Sequence, residues 1–479
     1  MTSINWLEET QKRKEDLIRT TQSFLQIKSV LDPDSVKEGA PFGEGIRQAL
    51  DFALDVCRQA GMTTKDVRGY AAHAEFGQGE ELIGILSHVD VVPEGDGWST
   101  PPYAAEIVDG SKIVARGAID DKGPTMAAIF AAKIVLELGL PLSKRVRFIF
   151  GTDEESSWQC VKTYFESEEM PTMGFTPDAD FPLIYAEKGL TDLTLRQTPA
   201  AFSAKAVEEA ADVQAELVSL QSGLRMNMVP DKGEAVLKPK ALDAGVIVER
   251  YRQHLTENKL KGAAEEKDGM VVLHMEGVSV HGMDPGKGVN AGTHLIHFLH
   301  TLKLDARAAS YVGFADEYLH NQHEGKSLGI AHEDAEMGPL SLNTGVLEYQ
   351  AEGDAIFRLN IRYPHSVSFD QWSAVLAERG AKEAFELEVV EHLTPHRVDP
   401  NHPLVTTLQR VYTEQTGEEA GIIAIGGATY GRSLDVGVAF GPLFPGRPDS
   451  AHQRDEYILI DDLVKATAIY AQAIYELAK

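Results

Sequence analysis

Acidic and imidazole side chains recur where the apolar runs of this chain end. "LSHVDVVPEGDGW" places His88 and Asp90 just beyond an apolar segment. Residues two apart on a strand share a face, so both side chains leave the strand end in one direction. Asp120 and Asp121 follow "SKIVARGAI", Asp153, Glu154 and Glu155 follow "RVRFIFGT", and Asp178 and Asp180 stand in "GFTPDADFP". In an open α/β sheet the carboxyl ends of the strands form the crevice where ligands sit. Singly, each acid reads as a solvated loop residue or a helix cap. Four successive strand ends carrying acids, one with a histidine, outweigh that reading. Carboxylates gathered in one crevice repel one another, and a cation relieves the repulsion. Oxygen and nitrogen donors suit a hard or borderline divalent ion; with only two cysteines, a zinc finger is excluded.

The elements that must position these groups follow from periodicity. Residues 5 to 28 and 43 to 61 read as amphipathic helices, the second stopped by Gly61. Leu82 to Leu86 and Val146 to Phe150 are short apolar runs, separated by a helical stretch over 122 to 138 with Met126, Phe130, Ile134 and Leu138 on one stripe. Strand, helix and strand at this spacing predict an α/β layer with a largely parallel core. Beyond about residue 190, "YAEKGLTDLTLRQ", "GMVVLHMEGVSVHG" and "DAIFRLNIRYP" read as half-exposed strands, with helices at 243 to 257 and 290 to 302. After about 390, the helix of "HPLVTTLQRVYTEQTG" and the buried runs of "GIIAIGGATYGRSL" and "VGVAFGPLFPG" resemble the first part again. The expected organisation is a first domain over 1–190, an inserted domain over 191–392, and a return to the first over 393–479.

Composition narrows the function. A chain of 479 residues exceeds one ordinary core, and 43% hydrophobic with 25% charged residues is the balance of a folded protein. The formal charge of -28 works against nucleic acid and anionic membranes as partners. No apolar run approaches the ~20 residues that span a bilayer. The start, "MTSINWLEETQKRKEDLIRT", has no apolar secretory centre, which with the two cysteines points to the cytoplasm. Cys57 lies on the helical stripe of Ile46, Leu50 and Leu54 and reads as a buried structural thiol. His294, His297 and His300 in "THLIHFLH" mimic a metal cluster, but steps of three drift around a helix, so they read as structural. HExxH is absent, "GRSLD" misses the nucleophile elbow, and "GMDPGKG" lacks phosphate-loop spacing.

The motifs "SHVDVVP", "ARGAIDDKG", "FGTDEESSW" and "TPDADFP", with the later "SVHGMDPGKGVNAG" and "FPGRPDSAHQRDEY", resemble those of the co-catalytic zinc peptidases. That family includes carboxypeptidase G, aminoacylase, succinyl-diaminopimelate desuccinylase and carnosinase. Six motifs in order run over essentially the whole chain, and the pattern is most similar to bacterial dipeptidases of the peptidase V type. The resemblance implies a phosphorylase/hydrolase-like α/β catalytic domain with a mostly parallel central sheet, interrupted by an α+β, ferredoxin-like lid. It implies two Zn2+ per chain, with Mn2+ or Co2+ as alternatives. His88 and Asp178 would hold one ion, Glu155 and His452 the other, and Asp120 would bridge both. Asp90 would orient the His88 ring as its hydrogen-bond acceptor. Glu154, beside a ligand but not matched to a metal, is the expected general base. In the lid, the matching residues Asn227, His281 and Arg362 would bind substrate. His281 would polarise the scissile carbonyl and Arg362 grip the free carboxylate. Gly426 and Gly427 in "IGGATYG" would add backbone donors to that carboxylate.

Charge counting agrees with this set. Three carboxylates and two neutral imidazoles leave about one positive charge on two divalent ions, which a bridging hydroxide cancels. The expected reaction is hydrolysis of unsubstituted dipeptides. The alternatives are an amidohydrolase of N-acyl amino acids (a deacylase or desuccinylase) and a catalytically silent peptide-binding protein. An inserted domain of this size supplies its histidine within one chain, so a monomer is expected.

Overall fold

The structure is a computed structural model and describes residues 4–204 and 212–479. Residues 1–3, at the start of the predicted first part, and 205–211, within the predicted lid, lie outside the described residues. The chain forms two compact units. One comprises the chain up to Ala186 with Arg397–Ala424 and Ala428–Lys479; the other comprises Glu187–His396 and Ile425–Gly427.

The first unit is built on a mixed sheet whose centre is parallel. The strand Leu82–His88 pairs in parallel with Arg145–Gly151 on one side and with Met173–Thr176 on the other. Met173–Thr176 continues in parallel to Gly437–Ala439. Ala71–Gly77 and Thr63–Val67 extend the sheet antiparallel beyond Arg145–Gly151. Every residue of Leu82–His88 is buried, as expected of a strand covered on both faces. The helix Lys122–Glu137 is buried on nearly all sides, and Ile460–Ala478 packs beside it. The predicted 5–28 helix is two helices, Trp6–Gln11 and Lys14–Leu25, broken at Lys12 and Arg13. The stripe Ile46, Leu50, Leu54 and Cys57 of Glu44–Gln59 is fully inside.

One expectation needs correction. "SKIVARGAI" does not end a strand of the central sheet: Lys112–Val114 belongs to a separate three-stranded sheet with Glu106–Val108 and Tyr457–Leu459. Asp120 therefore arrives on the loop that starts the helix Lys122–Glu137.

The second unit is built on an antiparallel sheet of eight strands, with a separate two-stranded pairing of Glu333–Asp334 and Gly338–Pro339. Its strand order places Lys261–Lys267, Met270–Glu276, Lys232–Pro239 and Ala215–Ser222 in one half. Ser341–Gln350, Ala355–Tyr363, Gly189–Gln197 and Glu386–Leu393 make the other. The expected α+β form is thus two four-stranded groups side by side. Tyr251 and Phe298 of two helices meet with ring centroids 4.8 Å apart, and Tyr311 stacks on Phe357 of the sheet at 4.3 Å. Ile425–Gly427, within the predicted 393–479 segment, cluster with this unit because Lys188 N–H donates to the Ile425 carbonyl.

The histidines of "THLIHFLH" pack with other imidazoles and one acid. Asp316 accepts from His297 Nδ1 and His300 Nδ1, each at 2.6 Å, and His320 stacks on His297 at 4.5 Å. His294 meets His320 edge-on and His254 approaches His297, so two helices and the turn after a third contribute to one imidazole cluster. Burial, then the neighbouring His294 and His297, push His320 down to about 4; Asp316 opposes. His254 and His294 are lowered by burial and by His297. A base whose folded pKa lies below its unfolded value of about 6.5 takes up its proton first in the unfolded chain. Its contribution to stability is complete above about pH 6.5 and is lost as pH falls toward 4. Calorimetric unfolding midpoints should drop across that window, and His320→Asn should flatten the drop. An identical pH profile in the variant would contradict the assignment.

Candidate metal centre

His88 ends the central strand Leu82–His88 with its side chain fully buried. Its Nδ1 lies 3.0 Å from the backbone carbonyl of Asp90 and 3.5 Å from Asp90 Oδ1. The group that fixes the tautomer is therefore the Asp90 carbonyl, where the sequence reading expected the Asp90 carboxylate. That carboxylate is engaged elsewhere. Its Oδ1 accepts from the Glu154 N–H at 3.2 Å and its Oδ2 from the Glu155 N–H at 3.0 Å. One short turn thus orients the ring of His88 with its backbone and anchors the Glu154–Glu155 turn with its side chain.

With Nδ1 donating, His88 turns Nε2 toward acids: 3.0 Å from Asp120 Oδ1 and 3.6 Å from Asp178 Oδ2. The other oxygen of Asp120 lies 3.0 Å from His452 Nε2, which is also 3.1 Å from Glu155. Asp120 stands between two imidazole nitrogens, each with a second carboxylate beside it. One donor atom from each of His88, Asp120 and Glu155 lies within 4.8 Å of the other two. His452 adopts φ of 60°, a left-handed conformation that a non-glycine residue holds only when its surroundings impose it. The structure brings His88, Asp120, Glu155, Asp178 and His452 together in the first unit.

The electrostatics tests whether a cation fits. Hydrogen bonds to the Asp120 and Glu155 carboxylates raise His452 to about 11, and His88 is raised by Asp120, Asp178 and Asp90 against its burial. Burial pushes the Asp120 carboxyl up, but the two imidazoles more than reverse it. Glu155 is pushed up to about 7 by burial and the Asp120 charge, and Asp178 is raised for the same reasons. Acids this crowded draw protons onto the imidazoles between them. A divalent ion answers the same excess of negative charge with more charge and no proton, so the donor set fits a metal. Glu154 is raised well above the ordinary carboxyl range, chiefly by burial and further by Asp178 and Glu155.

Tyr430, unflagged in the sequence, backs this arrangement. Its hydroxyl meets Cys160 Sγ at 2.7 Å, and its ring stands edge-on to His88 and Trp158. Its only sequence signal is an aromatic residue inside a glycine-rich run.

The remaining predicted residues gather in the second unit. The Asn227 carbonyl accepts from Gly282 N–H at 2.7 Å, next to His281, whose neighbour-but-one Met283 borders Gly426. Asn343 Nδ2 donates to the carbonyls of Met226 and Met228 and pins the turn that carries Asn227. The Arg362 guanidinium is buried, donates from Nε to Asn360 Oδ1 at 3.1 Å and from Nη1 to the Gly426 carbonyl. Asn360 in turn donates to Asp192 at 2.6 Å. Burial and the Arg362 charge hold His281 below its ordinary pKa, hence neutral near pH 7. Gly426 contributes its carbonyl to Arg362, whereas the expected role used N–H groups of Gly426 and Gly427.

The profile of peptidase family M20/M25/M40 matches residues 84–476. The chain belongs to this peptidase family. As an M20 member it is a hydrolase of a metal-dependent family. YtjP of Bacillus subtilis (strain 168), whose name gives it provisionally as a dipeptidase, is 51% identical over 481 residues, covering 99% of this chain and all of the relative. SAUSA300_1697 of Staphylococcus aureus (strain USA300), named in the same way, is 41% identical over 98% of this chain and 99% of the relative. Solved M20-type structures share the fold. Human carnosine dipeptidase 1 superposes with a TM-score of 0.54 at 16% identity over 98% of each chain. The dipeptidase Dug1p of Saccharomyces cerevisiae gives 0.55 at 14% identity over 99% and 98%. The aminopeptidase PepT of Bacillus cereus ATCC 10987 gives 0.57 at 15% over 97% and 99%. No helix among the described residues is long and apolar enough to cross a membrane.

Because Asp90 holds the turn of Glu154 and Glu155, Asp90→Ala should lower metal affinity roughly ten- to hundred-fold. Equilibrium dialysis against Zn2+ checks this; an affinity equal to that of the unaltered chain would contradict it.

Proposed function

We propose that this M20 hydrolase is a dipeptidase with a dinuclear metal centre, acting on dipeptides with free ends. The observation that carries the reading is Asp120, whose two oxygens each face an imidazole at 3.0 Å, with Asp178 beside one and Glu155 beside the other. The names of the close relatives support the substrate class. We assign His88 and Asp178 to one ion, His452 and Glu155 to the second, and Asp120 to both. Zinc is the first expectation, with manganese and cobalt compatible with the same donors. When bound, such a pair supplies an activated water and a Lewis-acid hold on the scissile carbonyl.

The protein's own groups do the rest. Glu154, kept ready to hold a proton by burial, takes one from the attacking water and returns it to the departing amine. His281, neutral near pH 7, donates a hydrogen bond to the oxygen that gains charge. Arg362, oriented by Asn360, pairs with the free carboxylate of the substrate, and Asn227 contributes a polar contact to it. We further read the protein as monomeric and cytoplasmic; the two buried, unpaired cysteines suit a reducing compartment.

Dialysis against a strong chelator should abolish hydrolysis of unsubstituted dipeptides, and Zn2+, Mn2+ or Co2+ should restore it. Activity that survives verified metal removal would contradict the centre. Faster turnover of N-acetyl or N-succinyl amino acids than of any dipeptide would instead identify an amidohydrolase. Arg362→Ala should weaken free dipeptides roughly ten- to hundred-fold in kcat/KM and spare carboxyl-amidated ones. An equal loss for both would remove its assigned role. Glu154→Gln should cut kcat by about two to four orders of magnitude at unchanged metal content.

A further inference from the structure

We propose that Glu456 is a positioning residue whose buried carboxylate locks the Asp120 loop to the His452 loop, and so sets how tightly the centre binds its ions. This rests on the metal-centre reading above. Glu456 lies four residues beyond His452 and is completely buried. Its Oε2 accepts from Arg116 Nη1 at 2.7 Å and from the Gly117 N–H at 2.9 Å. Its Oε1 accepts from the Ile119 N–H at 2.9 Å and the Asp120 N–H at 3.2 Å. The Glu456 carbonyl takes the Ala115 N–H at 3.0 Å, and Tyr457–Leu459 then pairs with Lys112–Val114. From 112 to 120 the chain is therefore fastened to 456–459, first by a ladder and then by one side chain.

The fastening bears on the centre because of what each loop carries. Asp120 meets both imidazoles only if its backbone stays in register with His452. The His452 side chain is about half exposed, so little packing of its own holds it. If the carboxylate is removed, three loop N–H groups lose their acceptor, and the buried Arg116 guanidinium keeps only its longer contacts to the Pro93 and Glu94 carbonyls at 3.4 Å. Arg116 neutralises Glu456 at 2.7 Å, so the carboxylate serves geometry and adds little net charge to the ligand set. The expected loss is larger for the ion assigned to Glu155 and His452, which takes both Asp120 and His452 from the two loops that Glu456 joins, whereas the other takes only Asp120 from them.

Glu456→Gln keeps the side-chain volume but turns an acceptor into a donor facing backbone N–H groups. In equilibrium dialysis of the metal-stripped full chain with Co2+ alone, the variant should bind at least one ion ten- to hundred-fold more weakly. The visible Co2+ spectrum should change, and kcat should fall while KM for a dipeptide moves less than about two-fold. Affinity and spectrum equal to those of the unaltered chain would overturn the proposal. If the unaltered chain itself binds no Co2+, the centre fails and the proposal with it, an outcome distinct from failure of the clamp alone. Amide hydrogen exchange in the unaltered protein gives a second test independent of whether the variant folds. Gly117, Ile119 and Asp120 should be strongly protected; exchange at open-loop rates would overturn the clamp.

Discussion

Mutual repulsion among buried carboxylates is the constraint on which the rest of this structure depends. Asp120, Glu154, Glu155 and Asp178 crowd one end of a parallel sheet, where burial alone raises the cost of charge. Two imidazoles, His88 and His452, stand between them and take up part of that charge. A fold selected for stability alone would disperse these acids. Their concentration, in a family of metal-dependent hydrolases, is the physical reason to place cations there.

The scaffolding around the acids is made of hydrogen bonds to backbone. Asp90 fixes the Glu154–Glu155 turn through two N–H groups, and its own carbonyl fixes the tautomer of His88. Glu456 binds three N–H groups around Asp120. Asp153 closes the next turn by accepting from the Ser157 hydroxyl at 2.6 Å and the Gln159 N–H at 2.9 Å. These carboxylates are satisfied largely by main-chain donors, and His88, Asp120, Glu155, Asp178 and His452 face one another beside them. Carboxylates used as backbone acceptors hold in place the loops that carry Asp120, Glu154 and Glu155.

Much of this was legible in the residues. A strand apolar from Leu82 to Leu86 that ends in Ser87 and His88 announces both burial and direction, and this located His88; the same argument reached Glu155 and Asp178 at neighbouring strand ends. It misplaced Asp120, because "SKIVARGAI" has the texture of a buried strand but pairs in a side sheet, and texture does not identify a pairing partner. It gave Asp90 the right neighbourhood and the wrong bond, since a backbone carbonyl carries no sequence signal. Spacing along one helix gave no reason to read His294, His297 and His300 as a chelating triplet. It could not foresee that His254 and Asp316 of other helices, and His320 of the turn after one of them, would pack against them. Periodicity reports which face of an element is buried; it is silent on what that face meets.

Anomalous diffraction from crystals grown with zinc, collected on both sides of the zinc edge, tests the central claim most directly. The account predicts two zinc peaks in each chain, one beside His88 and Asp178, one beside Glu155 and His452, with an oxygen of Asp120 on each. A single peak, or peaks away from Asp120, would contradict it.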